Sequence, residues 1–276
     1  MSENPLLRTL YLDGHRRLRV LLDGPALRIR RDDSADHLFP LRHLVQVVTC
    51  GPVEWSISAL LACAEASVPV IFFRANGCLR ARVLGEQACD RLLDLDLALS
   101  ALLDQPSGPD RYNEWIQART QQARLKFLHM AGRRCAVIES STVQRLIQNR
   151  ARLHVRAGEL RRFDRQIYGL LQVNIDTLMR EYGLDPDRAG LTVQGIDITR
   201  DFTNILIWSL QSKKLRYFKR LHGQARRKGN ALARLDWFQA VQFIEQNAGH
   251  ITDQFRETIK QFHAHLLETV RGNVNQ

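Results

Sequence analysis

Hydrophobic and polar positions follow two rhythms along this chain, and the change falls near residue 88. Ahead of it, LRTLYLDG, RRLRVLLDG and ALRIRRDD are short runs of alternating or β-rich character. Asp13-Gly14 and Asp23-Gly24 supply residues that tolerate positive φ, which predicts tight hairpins. FPLRHLVQVVTCG continues as another β-rich run, and ISALLACAEAS reads as one helix capped by Ser56 or Ser58, whose hydroxyl accepts an orphaned amide. VPVIFF is an apolar strand, Asn76-Gly77 a further turn, and CLRARVLG a strand with Arg80 and Arg82 on one face and Leu79, Ala81 and Val83 on the other.

Beyond residue 88 the apolar spacing becomes helical. CDRLLDLDLALSALLD, EWIQARTQQARLKFLHMAG, AVIESSTVQRLIQNRARL, ELRRFDRQIYGLLQVNIDTLMREYG and DFTNILIWSLQSKKLRYFKRL all carry it. The class expected is α+β: a small N-terminal β domain over residues 1–87, made of hairpins plus one helix, followed by a larger all-helical domain over 88–276. QPSGPD (105–110) is a loop in the helical part, and no internal repeat is present.

With 276 residues, 45% of them hydrophobic, the chain can bury a core in each part. Charge sharpens the picture. Forty Lys plus Arg against 29 Asp plus Glu leave +11, which favours polyanionic partners, nucleic acid foremost. The surplus gathers between Phe202 and Leu235, where nine basic residues meet no acid. Within KKLRYFKRL, Leu215, Phe218 and Leu221 are expected to face a core while Lys213, Lys214 and Arg220 project outward and Tyr217 sits at the boundary, able to stack on a base. ARRKGN is expected to be a mobile basic loop. Lys213, Lys214, Arg216, Lys219, Arg220, Arg226, Arg227 and Lys228 are therefore the candidate DNA contacts, with a solvated positive face as the plain alternative.

Five scattered cysteines without a CxxC pair suggest neither a zinc site nor a disulfide framework. The N-terminus lacks a basic segment followed by an apolar run, and no stretch of 18 apolar residues occurs, so no membrane role and a cytoplasmic location are expected.

The order of parts resembles a known family. Val68-Pro69-Val70-Ile71-Phe72, then Gly77 through Gly85, is similar to the "I-P-V-x-F" strand, glycine turn and short basic strand that close the β domain of the CRISPR-associated adaptation integrases, here the Cas-one family. Tyr168-Gly169-Leu170-Leu171 resembles that family's "G-Y-x-L-L" helix in transposed form, and Gly183-Leu184-Asp185-Pro186 with Gly190 resembles its "G-L-D-P-x-x-G". The resemblance spans roughly residues 7 to 205. It implies a β domain that forms a homodimer, a helical domain that binds double-stranded DNA, and a Glu, a His and an Asp that hold magnesium or manganese. Such a metal assists a DNA 3′ hydroxyl in attacking a phosphodiester, so that a captured fragment becomes a new spacer in antiviral defence. The small ferredoxin-like adaptation protein, Cas-two, is an implied partner.

Residue by residue, Asp197 in Asp197-Ile198-Thr199-Arg200-Asp201-Phe202 falls on the family's metal-binding aspartate, although the same residue can equally cap the helix that DITRDF begins. Three positions after Gly190, where the resemblance expects histidine, stands Val193. Glu139 in CAVIESSTVQR is the nearest counterpart of the glutamate, with a capping or surface carboxylate as the alternative. His154, His222 and His250 are the imidazoles of the helical part that could substitute, His250 with Asp253 one turn on. The resemblance thus implies a divergent homologue whose strand-transfer site is degraded. The alternatives are an active integrase or endonuclease using Asp197 and Glu139 with magnesium or manganese, and a general nucleic-acid-binding module.

Overall fold

The computed structural model describes residues 8–14, 17–32, 34–85, 94–132, 140–187, 191 and 195–274. The chain divides into two compact units, Met1–Ala88 and Cys89–Gln276. Among the described residues, the first holds two four-stranded sheets and one α-helix and the second only helices, which makes the class α+β.

In the first unit, β1 (Arg8–Asp13), β5 (Leu44–Cys50), β7 (Val70–Phe73) and β8 (Leu79–Val83) form one sheet in the order β1-β5-β7-β8. β4 (Ser34–Pro40), β3 (Ala26–Arg31), β2 (Leu18–Asp23) and β6 (Glu54–Trp55) form the other, in the order β4-β3-β2-β6. The turn at Asp23-Gly24 joins antiparallel β2 and β3, with Gly24 at φ +56°. Asn76-Gly77 joins antiparallel β7 and β8: Gly77 takes φ +84° and the Asn76 carboxamide accepts the Cys78 amide at 3.0 Å.

Asp13-Gly14 is not a hairpin. β1 and β2 lie in different sheets, and β1 runs parallel to β5. Gly14 serves a close approach instead, since a Cβ there would stand 2.4 Å from the Pro52 carbonyl oxygen. The run FPLRHLVQVVTCG likewise breaks at Pro40 into β4, a 3₁₀ turn over Leu41–His43, and β5.

Helix α1 (Ile57–Glu65) is capped by Ser56, whose hydroxyl accepts the Ala59 amide at 3.2 Å. It packs on β2 and β7, burying Ala59 and Cys63 among Val20, Leu27, Val47 and Val70. Ile57 and Leu61 face solvent at 76% and 57% exposure. Cys50, Cys63 and Cys78 are free thiols, and burial pushes the Cys63 thiol up to about 11. Cys89 and Cys135 lie outside the described residues.

The second unit contains α2 (Asp94–Leu103), α3 (Gly108–Met130), α4 (Ser140–Arg152), α5 (Ala157–Glu181), α6 (Ile198–Arg227), α7 (Trp237–Glu245) and α8 (Ala248–Val274). α6 is the hub and packs against α3, α4, α5 and α8. Near its start, Phe202 meets Trp115, Phe255 and Phe262. Farther on, Phe218 and Tyr217 meet Phe163, and Tyr217 also meets Phe243. Among the described residues no helix is long and apolar enough to cross a membrane.

Candidate functional site

Two features of α6 bear on function: the carboxylates at its N-terminus and the cations toward its C-terminus. Asp197 is the N-cap, its Oδ1 accepting the Arg200 amide at 2.9 Å and so satisfying one of the helix's orphan donors. Asp201 follows one turn later, half-buried, and its Oδ2 accepts the hydroxyl of wholly buried Tyr112 at 2.9 Å. Burial raises the Asp201 carboxyl above its usual range; the Tyr112 hydrogen bond pulls it down and the Asp197 charge adds to the rise. Burial, together with the Asp201 charge, pushes the Tyr112 hydroxyl far up. Tyr168 on α5 donates to the Asn204 carboxamide oxygen at 2.9 Å, next to Arg200 and the two aspartates.

Both carboxylates thus carry structural duties, one as a cap and one as the anchor of a buried tyrosine. Glu139 and Val193 lie outside the described residues, as does Gly190. The substitute imidazoles are elsewhere. His222 stands 25 residues beyond Asp197 on the same helix, roughly 37 Å along its axis. His154 is held beside it, the two Nδ1 atoms 3.1 Å apart, while His222 Nε2 donates to the Ala231 carbonyl at 3.0 Å. Burial, with His222 and Lys219 nearby, lowers the affinity of His154 for a proton. His250 lies beside Ser209 and Lys213, roughly three to four turns up α6 from Asp197. Among the described residues no three His, Cys, Asp or Glu side chains gather as a metal cage. Asp197 and Asp201 each commit one oxygen to a hydrogen bond, and two carboxylates by themselves form only part of the oxygen shell that a divalent cation takes.

The family-like Gly183-Leu184-Asp185-Pro186 has a clear local task. Gly183, at φ +73°, ends α5, and the Leu184 amide returns to the Met179 carbonyl at 2.9 Å. Arg180 then clamps the exit by reaching Asp176, Asp185 and Asp187 at once.

The cations follow a helical phase. At 100° per residue, Lys213, Arg216, Lys219, Arg220, Arg226 and Arg227 fall within an arc of roughly 140°, all exposed except half-buried Lys213, and exposed Lys228 follows at the helix end. Lys214 falls on the opposite side. It does not project outward: it is 3% exposed, and its Nζ donates to Asp164 on α5 at 2.8 Å. Tyr217 is no boundary residue either, being 4% exposed with its hydroxyl tied to the Gln239 carbonyl and the Gln242 carboxamide. The stretch expected as a mobile loop is the last turn of α6 followed by a fastened return. Gly229 takes φ +77°, the Ala233 amide donates to the His154 carbonyl at 3.1 Å, and the Leu235 amide to Glu159 at 2.7 Å. Arg220 lies over the Tyr217 ring at 5.1 Å and donates to Gln246, so it is partly engaged.

Sequence reasoning missed a cleft of about 830 Å³ between α3, α4, α5 and α6, into which Tyr168, Asn204 and Lys214 contribute. Its signal was present as glutamines at helical spacing, Gln117 with Gln121 and Gln144 with Gln148.

Comparison with known proteins gives the lineage. No curated protein matches the chain in sequence. Among solved structures, a CAS1 protein from Thermotoga maritima matches with TM-score 0.68 at 12% identity, covering 94% of this chain and 97% of that one. A casposase bound to integration product matches with TM-score 0.57 at 14% identity, over 95% and 91%. A Cas6-RT-Cas1–Cas2 complex matches with TM-score 0.54 at 13% identity, over 98% of this chain and 36% of that one. At such identities these likenesses establish the fold alone. The family model for CRISPR associated protein Cas1, however, matches residues 10–179, more than half of the sequence, and the chain therefore belongs to the Cas1 family, the spacer-acquisition integrases of CRISPR systems.

Proposed function

We propose that this chain serves spacer acquisition as a DNA-binding component, a homodimer on double-stranded DNA, whose own metal-dependent strand-transfer site is lost. The observation that carries this reading is the double commitment of Asp197 and Asp201, as helix cap and tyrosine anchor, with every substitute imidazole weighed above far along α6 or engaged elsewhere. Retained DNA binding rests on the cationic arc of α6, whose members meet phosphates without reading sequence. Dimerisation is assigned to the first unit, where Ile57 and Leu61 leave apolar surface on α1 open to a second copy. Partnership with Cas2 is part of the same reading, since a structure of the same fold stands in a complex with it.

The test uses purified protein with manganese, a labelled duplex bearing free 3′ hydroxyls, and a supercoiled target plasmid. No strand transfer is expected. Asp197→Ala should lower unfolding free energy by about 1 kcal/mol through loss of the cap, and Asp197→Ser, which keeps a capping oxygen, should restore it. Manganese-dependent strand transfer by the native chain that disappears in Asp197→Ser would overturn the reading and place an active integrase in its stead.

A further inference from the structure

We infer that His154 and His222 form a binding site for a zinc ion near the C-terminal end of α6, remote from Asp197 and Asp201. The ion serves as a clamp between the end of α4 and the end of α6, and the inference stands apart from the DNA-binding reading above.

The tautomer of His222 is fixed by its neighbour. Its Nε2 lies 3.0 Å from the Ala231 carbonyl, and a carbonyl only accepts, so the neutral ring carries its proton there and leaves a lone pair on Nδ1. A ring N–H given to a backbone carbonyl is also how metal-ligating imidazoles are held, with the opposite nitrogen turned to the ion. That nitrogen faces His154 Nδ1 at 3.1 Å. Without metal, one proton fills the gap as an N–H···N hydrogen bond from His154. When zinc enters, His154 takes the tautomer protonated on Nε2; both Nδ1 lone pairs then face the ion, both rings stay neutral, and no proton is lost.

The spacing suits one shared ion. With metal–nitrogen bonds of about 2.0–2.1 Å, two nitrogens stand roughly 2.9 Å apart at a right angle and roughly 3.4 Å apart at the tetrahedral angle. The observed 3.1 Å lies between these. The ring centroids are 5.3 Å apart and the planes tilted by 48°, so small ring rotations bring both lone pairs to one point.

The backbone holds the pair in place from three segments. The His154 amide returns to the Ala151 carbonyl at 2.9 Å, and its carbonyl takes the Ala233 amide at 3.1 Å. His222 lies within α6, and beyond the end of that helix the Asn230 amide returns to the Ala225 carbonyl at 2.9 Å. Both rings are half-buried, and Leu153, Gly223 and Ala231 are exposed, so an ion and its waters can reach the site.

The donor set selects the metal. Among the described residues no third His, Cys, Asp or Glu joins the two imidazoles, so the protein supplies two nitrogens and water completes the shell. Magnesium and calcium need anionic oxygens that the pair does not offer, whereas imidazole suits zinc, copper and nickel. A tetrahedral ion with a small shell fits the spacing best, which favours zinc.

The test adds zinc to the purified full chain and follows it by isothermal titration calorimetry and by nitrogen NMR of the histidine rings. A binding event that magnesium does not reproduce is expected, and the Nδ1 resonances of both rings should shift together. His154→Ala and His222→Ala should each weaken that event at least tenfold, the scale on which metal sites lose affinity when even an outer partner is removed. His129→Ala, which removes an exposed histidine elsewhere, should leave it unchanged. The melting temperature should rise by about 5 °C with zinc at about a hundred times its dissociation constant, and should not rise in either pair variant. A cooperative melt without zinc shows that the variants fold. Equal zinc affinity in the native chain and both variants, or ring resonances that zinc leaves unmoved, overturns the inference and leaves the two rings as a hydrogen bond alone.

Discussion

Neutralising the exposed arc of α6 is the perturbation that most directly separates a DNA-binding face from a merely soluble one. Arg216, Lys219, Arg226 and Arg227 are exposed, lie within the same arc and appear in no ion pair described above, so replacing all four with Gln removes four charges with little loss of packing. If each side chain neutralises one phosphate, the slope of log K against log salt becomes shallower by about 3.6. A fourfold rise in salt then weakens the native protein roughly 150-fold more than the variant. Anisotropy titrations of a labelled duplex across a salt series read this directly. Lys214→Gln is the contrasting control. It strips Asp164 of its partner, but Asp164 is already 36% exposed and can take up water, so the loss of stability should be about 1–2 kcal/mol, below that of a fully buried pair, with the salt slope unchanged. Identical slopes for the native chain and the fourfold variant, or a slope altered by Lys214→Gln alone, would refute the assignment of DNA contact to this face.

Further outcomes are expected from individual residues. Asp201 has a carboxyl raised by burial, so the folded state holds its proton to higher pH than the unfolded state; stability contributed by the protonated form falls as pH rises from the ordinary carboxylate value through the raised one. Asp201→Asn, which still accepts from Tyr112, should be free of that decline, and chemical denaturation of the two chains at pH 3 to 8, on the order of the carboxylate range, should show the difference widening upward. Tyr112→Phe should destabilise by about 1–2 kcal/mol, because Asp201 loses the donor that partly offsets its burial; a calorimetric melt checks this. Gly108→Ala should cost roughly 1–3 kcal/mol, since a Cβ there would stand 2.0 Å from the Leu102 carbonyl oxygen and α2 would have to shift from α3.

What the sequence disclosed, and what it hid, follows from the range of each interaction. Asp23-Gly24 and Asn76-Gly77 were legible because their turns are local, and Ser56 because a cap acts within one helical turn. Asp13-Gly14 misled: its residues suit a hairpin, yet β1 finds its partner in β5, more than thirty residues away. The phase of Lys214 could have been read correctly, for it shares a stripe with Leu210, Tyr217, Phe218 and Leu221. Its partner Asp164, on another helix, could not. Asp197 as a cap was open from the outset, whereas the bond of Asp201 to Tyr112, 89 positions earlier, carries no sequence signature. The amide cleft was hidden for the same reason, its glutamines being legible as helix surfaces but not as surfaces facing one another.

α6 runs unbroken for 30 residues, about 45 Å from its capped beginning to its basic end. It acts as a ruler. Its cations, from Lys213 to Lys228, occupy only the second half, roughly 22 Å, over which a duplex would advance about 6 or 7 base pairs at about 3.4 Å per step. With packing along both sides, neither end can slide toward the other, so if this face grips DNA as proposed, the stretch held at one visit is set by the rise of the helix.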